Sequence, residues 1–413
     1  MAKIICLTTP GHLSQNPRLI KYAEALEAEG HHIIILSSAY QNPEMQYDRT
    51  ILSQHPKWEH HQVVWDYQSG PPSIALRLFS GIRCRLAQKA FFAGAREMSH
   101  AYAECRIYPE LLRALRKISA DLYIGFCLSS LALVTQVAKE HRKPFCFDFE
   151  DAYSAALDPE LYPWLEYIER KYIRQAQRIF VSSQGIGEYY IRKFGIIDPT
   201  VILNVFSIPE KKYGRQILLD RKDASRISLY WFSQTVGLDR GLQDFLQALR
   251  LIEDMPLELH LRGKVSQHVR SELLNRVAGS PIARRIYFHS PLTPDELLLR
   301  MPEHDIGLAL EALKPLNRDL CITNKIFSFL VSGLAVVASR TSGQQYVFQQ
   351  APGIGEMFEQ GNIQAIALAI RRLATDKSRL ELCKKAALNA AKNKFNWARE
   401  SQKMTDVVRS IFG

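Results

Sequence analysis

Residues 319 to 340 read DLCITNKIFSFLVSGLAVVASR, and the polar trio Thr323, Asn324 and Lys325 opens what should be a short helix ending at Gly333. The helix is predicted from Ile326, Phe329 and Leu330 at i, i+3 and i+4, with Thr323 as N-cap and Gly333 as the left-handed closing residue. The first-turn amides of such a helix carry about half a positive charge. Lys325 adds a full one. The chemistry these residues suit is binding of an anion, and phosphate is the natural guest.

Other residues fit that guest or a polar substrate. In Tyr230 to Leu242 a strand passes through a polar turn into a helix; Gly237 would let the backbone approach a diphosphate, and Arg240-Gly241 stands where a guanidinium could fork onto phosphate oxygens. Arg262 in Leu261-Arg262-Gly263-Lys264 adds charge at the next strand end. Glu311 closes the strand Asp305 to Leu310 and is the carboxylate expected in the site; a solvated loop acid explains it nearly as well. The first strand ends in Thr9-Pro10-Gly11-His12-Leu13-Ser14-Gln15-Asn16-Pro17-Arg18, where Gly11, His12, Asn16 and Arg18 could face a ligand, although this is not GxGxxG and a plain strand-to-helix turn accounts for it almost equally. Asp148-Phe149-Glu150-Asp151 puts three carboxylates at a strand's carboxyl end, where Glu150 could orient a hydroxyl or act as a base, or could simply be solvated. His289 and His304 read as structural or surface histidines.

Positioning these residues requires strands alternating with helices from end to end, which is the pattern of parallel α/β sheets. Strands are predicted at Ile4 to Thr9, His32 to Ser37, Leu122 to Phe126, Phe145 to Phe149, Ile179 to Ser183 and Val201 to Leu203. They restart at Ile227 to Phe232, Leu257 to Leu261, Ile286 to His289, Ile306 to Leu310 and Leu334 to Ser339. The helix after the first strand has Asn16 as cap, Pro17 at N1, a stripe of Leu19, Ala23 and Leu26, and a stop at Gly30. The expected architecture is α/β, two Rossmann-like doubly wound domains facing each other across a cleft. The proposed limits are 1–205 and 206–395, with a final helix in 396–413. The junction falls near Asn204 to Arg226, where Pro209, Glu210-Lys211-Lys212 and Asp220-Arg221-Lys222-Asp223 suit a linker.

A chain of 413 residues with 47% hydrophobic content is large enough for two such cores. Its 7 cysteines are scattered and never form CxxC, which argues against a disulfide framework and a zinc site and points to a reducing compartment. Met1-Ala2-Lys3 leads straight into Ile4-Ile5-Cys6-Leu7, so no signal peptide is read, and no apolar run has membrane-spanning length. These features predict a cytoplasmic protein. The net charge is +11, concentrated in residues 77–117: nine Arg or Lys against Glu97, Glu104 and Glu110 leave +6 there. Interleaved with Leu78, Phe79, Ile82, Leu86, Phe91 and Phe92, that charge suits an anionic membrane surface. Nucleic acid fits less well, since no nucleic-acid motif is recognisable; an ordinary solvated helix face fits as well as either.

On these residues the chain resembles the GT-B glycosyltransferases, and among them the retaining family 4. Asn16-Pro17-Arg18 through Gly30-His31 is similar to that family's opening helix, Val201 to Asn204 to the end of its first domain, and Arg240-Gly241 to its phosphate-contacting Lys/Arg-Gly. Asn324-Lys325-Ile326-Phe327-Ser328-Phe329-Leu330, followed by Gly333-Leu334-Ala335-Val336-Val337, resembles its NK-x-F-E-Y-x-x-x-G-x-x-V-V block and is the most specific of these. Ser328 stands where the family places a ribose-holding Glu, Leu320 where it places a companion Glu, and Glu150 near a position that holds His in some relatives.

The resemblance implies transfer of a sugar from a nucleotide diphosphate sugar to a glycan or lipid-linked acceptor, with retention of configuration, in cell-surface polysaccharide biosynthesis. It implies no metal and no cofactor beyond the nucleotide sugar: Arg240, Lys325 and the helix amides would stabilise the leaving diphosphate, and that phosphate could itself take the acceptor proton. In this reading Glu311 and Glu150 are the catalytic candidates; Gly237, Arg240, Gly241, Arg262, Thr323, Asn324, Lys325 and Ser328 bind the donor; and Gly11, His12, Asn16 and Arg18 lie on the acceptor side. Work at the inner face of the membrane follows if residues 77–117 touch lipid. Ser328 and Leu320 also support a second reading, a degenerate protein of this fold that binds nucleotide or a partner without transfer; a third is a sugar-nucleotide epimerase or hydrolase. Lys325→Ala is expected to abolish transfer with little loss of stability.

Overall fold

The structure is a computed structural model that describes residues 2–208, 220, 223, 225–238 and 240–413. Of the predicted junction, Pro209 to Lys212 and Arg221-Lys222 lie outside the described residues. The chain divides into two compact units, one made of Met1–Ile202 with Ser401–Gly413 and the other of Leu203–Glu400.

The first unit carries seven strands: β1 (Ile4–Thr8), β2 (His32–Ala39), β3 (Glu59–Val64), β4 (Leu122–Phe126), β5 (Phe145–Phe149), β6 (Arg178–Val181) and β7 (Thr200–Val201). They pair in parallel in the order β3-β2-β1-β4-β5-β6-β7. The central strands are buried along nearly their whole length, as an apolar run covered on both faces must be. The chain winds outward from β1 to β3, then returns to place β4 beside β1. That reversal is where open sheets of this kind bind ligands, beyond the carboxyl ends of the strands.

The helix Pro17–Ala28 forms as its sequence dictates. Asn16 Oδ1 accepts from Leu19 N–H at 2.9 Å, Pro17 needs no partner at N1, and Leu19, Ala23 and Leu26 are buried. The end of the chain completes this unit. In the helix Trp397–Ile411, Arg409 pairs with Glu29 at 2.7 Å and Lys403 Nζ donates to the Val201 carbonyl at 2.9 Å, while Lys3 lies over the Phe412 ring.

The second unit carries β8 (Ile227–Thr235), β9 (Leu257–Lys264), β10 (Ile286–His289), β11 (Ile306–Ala309), β12 (Ala335–Ser339) and β13 (Gly355–Phe358). The parallel order is β10-β9-β8-β11-β12-β13, so the reversal here lies between β8 and β11. One sheet face is covered by Phe245 and Leu249 from the helix Leu242–Arg250 and by Ile370 and Leu373 from Ile363–Thr375, packed on Leu229, Leu259, Leu308 and Val337. On the helix Asn324–Ser332, Phe329 lies directly over Gly307 of β11. A Cβ at Gly307 would come within 2.3 Å of that ring, so the absent side chain is what lets the helix sit against the strand.

Both units are thus Rossmann-like, doubly wound α/β sheets, as the alternation of runs predicts. Two strands escape the sequence reading, β3 and β13, both at sheet edges. β8 and β9 also run three residues further than their apolar stretches, with a register shift between Phe232 and Thr235.

Candidate active site

In the second unit the loops after β8 and β11, the two strands at the reversal, converge on one carboxylate. Glu311 is 3% exposed and Lys325 5% exposed, and Lys325 Nζ lies 2.5 Å from Glu311 Oε1. Arg240 Nη1 and Arg318 Nη1 each stand 3.7 Å from Glu311 Oε2. The backbone of Glu311 is fixed as well: its N–H donates to Ser339 Oγ, whose hydroxyl donates back to the Glu311 carbonyl, both at 2.9 Å. Three cations thus converge on one carboxylate at the carboxyl edge of the sheet. Burial pushes the Lys325 ammonium below the usual lysine range; Glu311 opposes that, and Arg240 adds to it.

Arg318 is the member that the sequence analysis does not single out. It belongs to the short helix Leu316–Leu320, and only the fold, which turns that helix back toward Glu311, exposes its role. Gly241 takes φ 73° as N-cap of the helix Leu242–Arg250, a left-handed conformation that glycine adopts without strain. Gly237 lies in the turn before it, half-buried.

The other donor-side candidates are placed differently. Thr323 holds the N-cap position by its backbone, but its Oγ1 is buried and makes no capping bond. Asn324 is exposed at the first turn. Ser328 points inward, its hydroxyl donating to the Asn324 carbonyl at 3.0 Å within its own helix, so it has no free donor for a ribose. Arg262 is not at a strand end, because β9 continues to Lys264. Its guanidinium is buried and donates to Tyr230 Oη at 2.9 Å, to the Ser290 carbonyl at 2.7 Å and to Asp220. With every nitrogen engaged inside the unit, Arg262 cannot serve a phosphate. His304 is buried against Ser228 Oγ at 2.8 Å and His289 stacks on His260, both structural positions.

In the first unit the acceptor-side candidates also turn inward. His12 is fully buried; the Tyr40 and Gln41 N–H groups both donate to its Nε2, at 3.0 and 3.1 Å, so Nδ1 must be the nitrogen that donates to Asp48, at 3.0 Å. Arg18 donates from Nε to both Asp148 oxygens at 2.9 Å, from Nη1 to the Ile202 carbonyl at 2.5 Å and from Nη2 to Tyr22 Oη at 3.3 Å. Its charge is matched within the unit, and the nearby Asp148 holds its pKa above the ordinary value against the effect of burial. Gly11 gives its carbonyl to Ser38 N–H at 3.0 Å. Asn16 spends Oδ1 on its helix cap and sets Nδ2 3.7 Å from Cys127 Sγ. Arg18 and His12 are therefore corrections: a buried charge or imidazole this well partnered holds loops in place and does not face a ligand.

Glu150 differs from these. It follows β5, beside the reversal, and its Oε1 is buried without a hydrogen-bond partner. Burial, and then the neighbouring Asp148, push its carboxyl from an ordinary 4.5 up to about 7, with Arg18 pulling the other way. Cys127, at the turn after β4, takes φ 61°, rare for a side chain with a Cβ; burial and then Glu150 hold its thiol far above the usual range. The first unit thus offers a carboxyl that exchanges its proton near neutral pH, and the second a cationic cluster suited to a polyanion.

Comparison with known proteins bears on the fold. The family model described as a glycosyl transferase 4-like domain matches residues 15–204. No curated protein matches the sequence. Among solved structures, a glycosyltransferase from Rickettsia africae is similar over 100% of this chain and 99% of its own, at 12% identity and a TM-score of 0.72. HepE of Anabaena, in complex with UDP and glucose, is similar over 99% of this chain and 100% of its own, at 14% identity and a TM-score of 0.69. Sucrose-phosphate synthase from Thermosynechococcus elongatus covers 99% of each chain at 14% identity and a TM-score of 0.71. Likeness at this identity carries the fold alone: the chain has the GT-B fold, and residues 15–204 are the part that matches the glycosyl transferase 4-like domain.

Proposed function

We propose that the chain transfers a sugar from a nucleoside diphosphate sugar, with retention of configuration, to a glycan or lipid-linked acceptor of cell-surface polysaccharide synthesis. The observation that carries this reading is the cluster of Lys325, Arg240 and Arg318 around Glu311 at the strand reversal of the second unit. As the glycosidic bond to the diphosphate breaks, negative charge grows on the leaving group. Arg240 and Arg318 stand at the half-exposed rim of the cluster, and fixed cations there stabilise that charge without reorganising. Glu311 holds the three cations together before the donor arrives; its carboxylate is also the group available to a sugar hydroxyl. These side chains, rather than a bound metal, neutralise the diphosphate in this reading. On a front-face path the leaving phosphate takes the acceptor proton, so Glu150 orients a hydroxyl and is not the obligatory base. The likeness to HepE, solved with UDP and glucose, supports a uridine nucleotide as the first to try. A cytoplasmic location at the inner face of the membrane follows from the lipid-linked acceptor.

The test is a panel of nucleoside diphosphate sugars, read first by thermal stabilisation and then by release of nucleoside diphosphate, with EDTA present in one arm. The correct donor stabilises the protein and turns over equally with and without EDTA, and NMR of the product shows the donor's anomeric configuration. A panel in which no donor either stabilises the protein or turns over refutes the donor class; an inverted product refutes retention.

A further inference from the structure

We infer that the outer face of the helix Pro71–Phe92 is a docking surface for an anionic lipid bilayer. This deepens the lipid-linked acceptor proposed above, and rests on it only for the location of the substrate. The helix has 22 residues, about 33 Å at 1.5 Å per residue. Its inner face buries Ser73, Ser80, Cys84, Ala87 and Phe91. Its outer face leaves large apolar side chains in solvent: Leu78, Phe79 at 68%, Ile82, Leu86 at 61% and Phe92. Spacings of three and four residues put them on one side with Arg85 and Lys89, both exposed. Exposed apolar residues are ordinary when single; a row of five along one helix is a patch that something covers. Past the helix end Phe92 packs edge-on at 6.2 Å against the buried Trp164, which the exposed Tyr162 meets at 5.5 Å.

Charge decides what covers it. The helix carries Arg77, Arg83, Arg85 and Lys89 and no Asp or Glu. The three carboxylates in residues 77–117 are all engaged: Glu97 with Lys171, Glu104 with Ser129 and Trp164, and Glu110 with Arg83. Arg85 and Lys89 make no ion pair among the described residues. An apolar row with unmatched cations and no acid on its own helix complements a surface that is uniformly negative above and apolar beneath, which is a bilayer containing acidic lipid. The long stems of Arg85 and Lys89 let their charges reach headgroups while the row enters the acyl boundary. No helix among the described residues is long and apolar enough to cross a membrane, so the contact is with the interface.

Sedimentation with vesicles tests this on the full chain, comparing phosphatidylcholine alone with an equal mixture of phosphatidylcholine and phosphatidylglycerol. The wild type should pellet with the mixture, not with phosphatidylcholine, and release with salt. Arg85→Glu with Lys89→Glu, and separately Phe79→Ser with Ile82→Ser, should each weaken binding by about tenfold or more while leaving the melting temperature unchanged, since all four side chains are in solvent. Wild-type protein that stays in the supernatant with both vesicles, or binding that neither double variant weakens, overturns the inference. So does light scattering that shows a dimer dissolved by Phe79→Ser with Ile82→Ser in a protein that ignores vesicles; the row is then a self-association face. No sugar donor enters the assay, so failure here leaves the transfer reading intact, and failure of transfer leaves this one.

Discussion

Replacing Glu150 by Gln should stabilise the protein in a manner that depends on pH. The carboxyl of Glu150 rises from 4.5 to about 7 in the folded protein, chiefly because burial disfavours its charge. Between those two values the unfolded chain has released the proton and the folded protein still holds it, so folding grows less favourable as pH rises through that window. The full penalty is present above pH 7 and absent below 4.5. A difference of about 2.5 pH units at about 1.4 kcal/mol each comes to about 3 kcal/mol. Glu150→Gln removes the ionisation and keeps the shape, so relative to wild type it should gain up to about 3 kcal/mol above pH 7 and little below 4.5. Calorimetric melting of both proteins on either side of the window measures this. The comparison between the two pH values cancels any fixed packing effect of the amide. A gain of the same size at both refutes the argument, because burial of the ionised carboxylate would then not be what Glu150 costs. In transfer assays the wild type should also show an inflection near pH 7 that the variant lacks.

Lys325→Ala should cost stability as well as transfer, contrary to the expectation from sequence: it strands Glu311 in the interior with only Arg240 and Arg318 at 3.7 Å, and loss of one partner of a buried pair costs about 3 kcal/mol. Adding Glu311→Gln should restore most of the melting temperature but not transfer; a single variant as stable as wild type would contradict the buried pair. Ser328→Glu, which copies the resembling family, should lower the melting temperature and fail to tighten nucleotide binding, because position 328 is buried and faces its own helix, whereas Ser328→Ala should change stability by less than about 1 kcal/mol. Tighter binding in Ser328→Glu, followed by calorimetric titration with UDP, would show that this helix face can reach the ligand.

What the sequence made legible was everything set by local pattern. The buried central strands announce themselves as apolar runs, Asn16-Pro17 and Gly333 mark helix ends through capping chemistry, and the alternation of strands and helices leads to two parallel sheets. What stayed hidden depends on partners far along the chain. β3 reads EHHQVV and is only half-buried, so at the sheet's edge it has no apolar signature to show. β13 is four residues long and begins with a glycine pressed against the Val336 carbonyl. Arg18, Arg262 and His12 have the residue types of ligand-binding groups, but whether a guanidinium faces a phosphate or an aspartate is decided by which carboxylate the fold delivers. For Arg18 that partner lies 130 positions away and for His12 it lies 36. Arg318 is the opposite case, an unremarked loop residue until the short helix turns it to Glu311.

The division of the first unit into Met1–Ile202 and Ser401–Gly413 governs the order in which the protein can be finished on the ribosome. All of the second unit, Leu203–Glu400, is contiguous and is synthesised before Ser401, so the first unit cannot gain its last helix until the second has been made. The groups that helix meets, Glu29, Val201 and Lys3, wait through nearly half of translation. A fragment ending at residue 202 is therefore not a domain but an interrupted one, and the first unit becomes separable only if the terminal segment is joined back to residue 202 by a linker in place of the second.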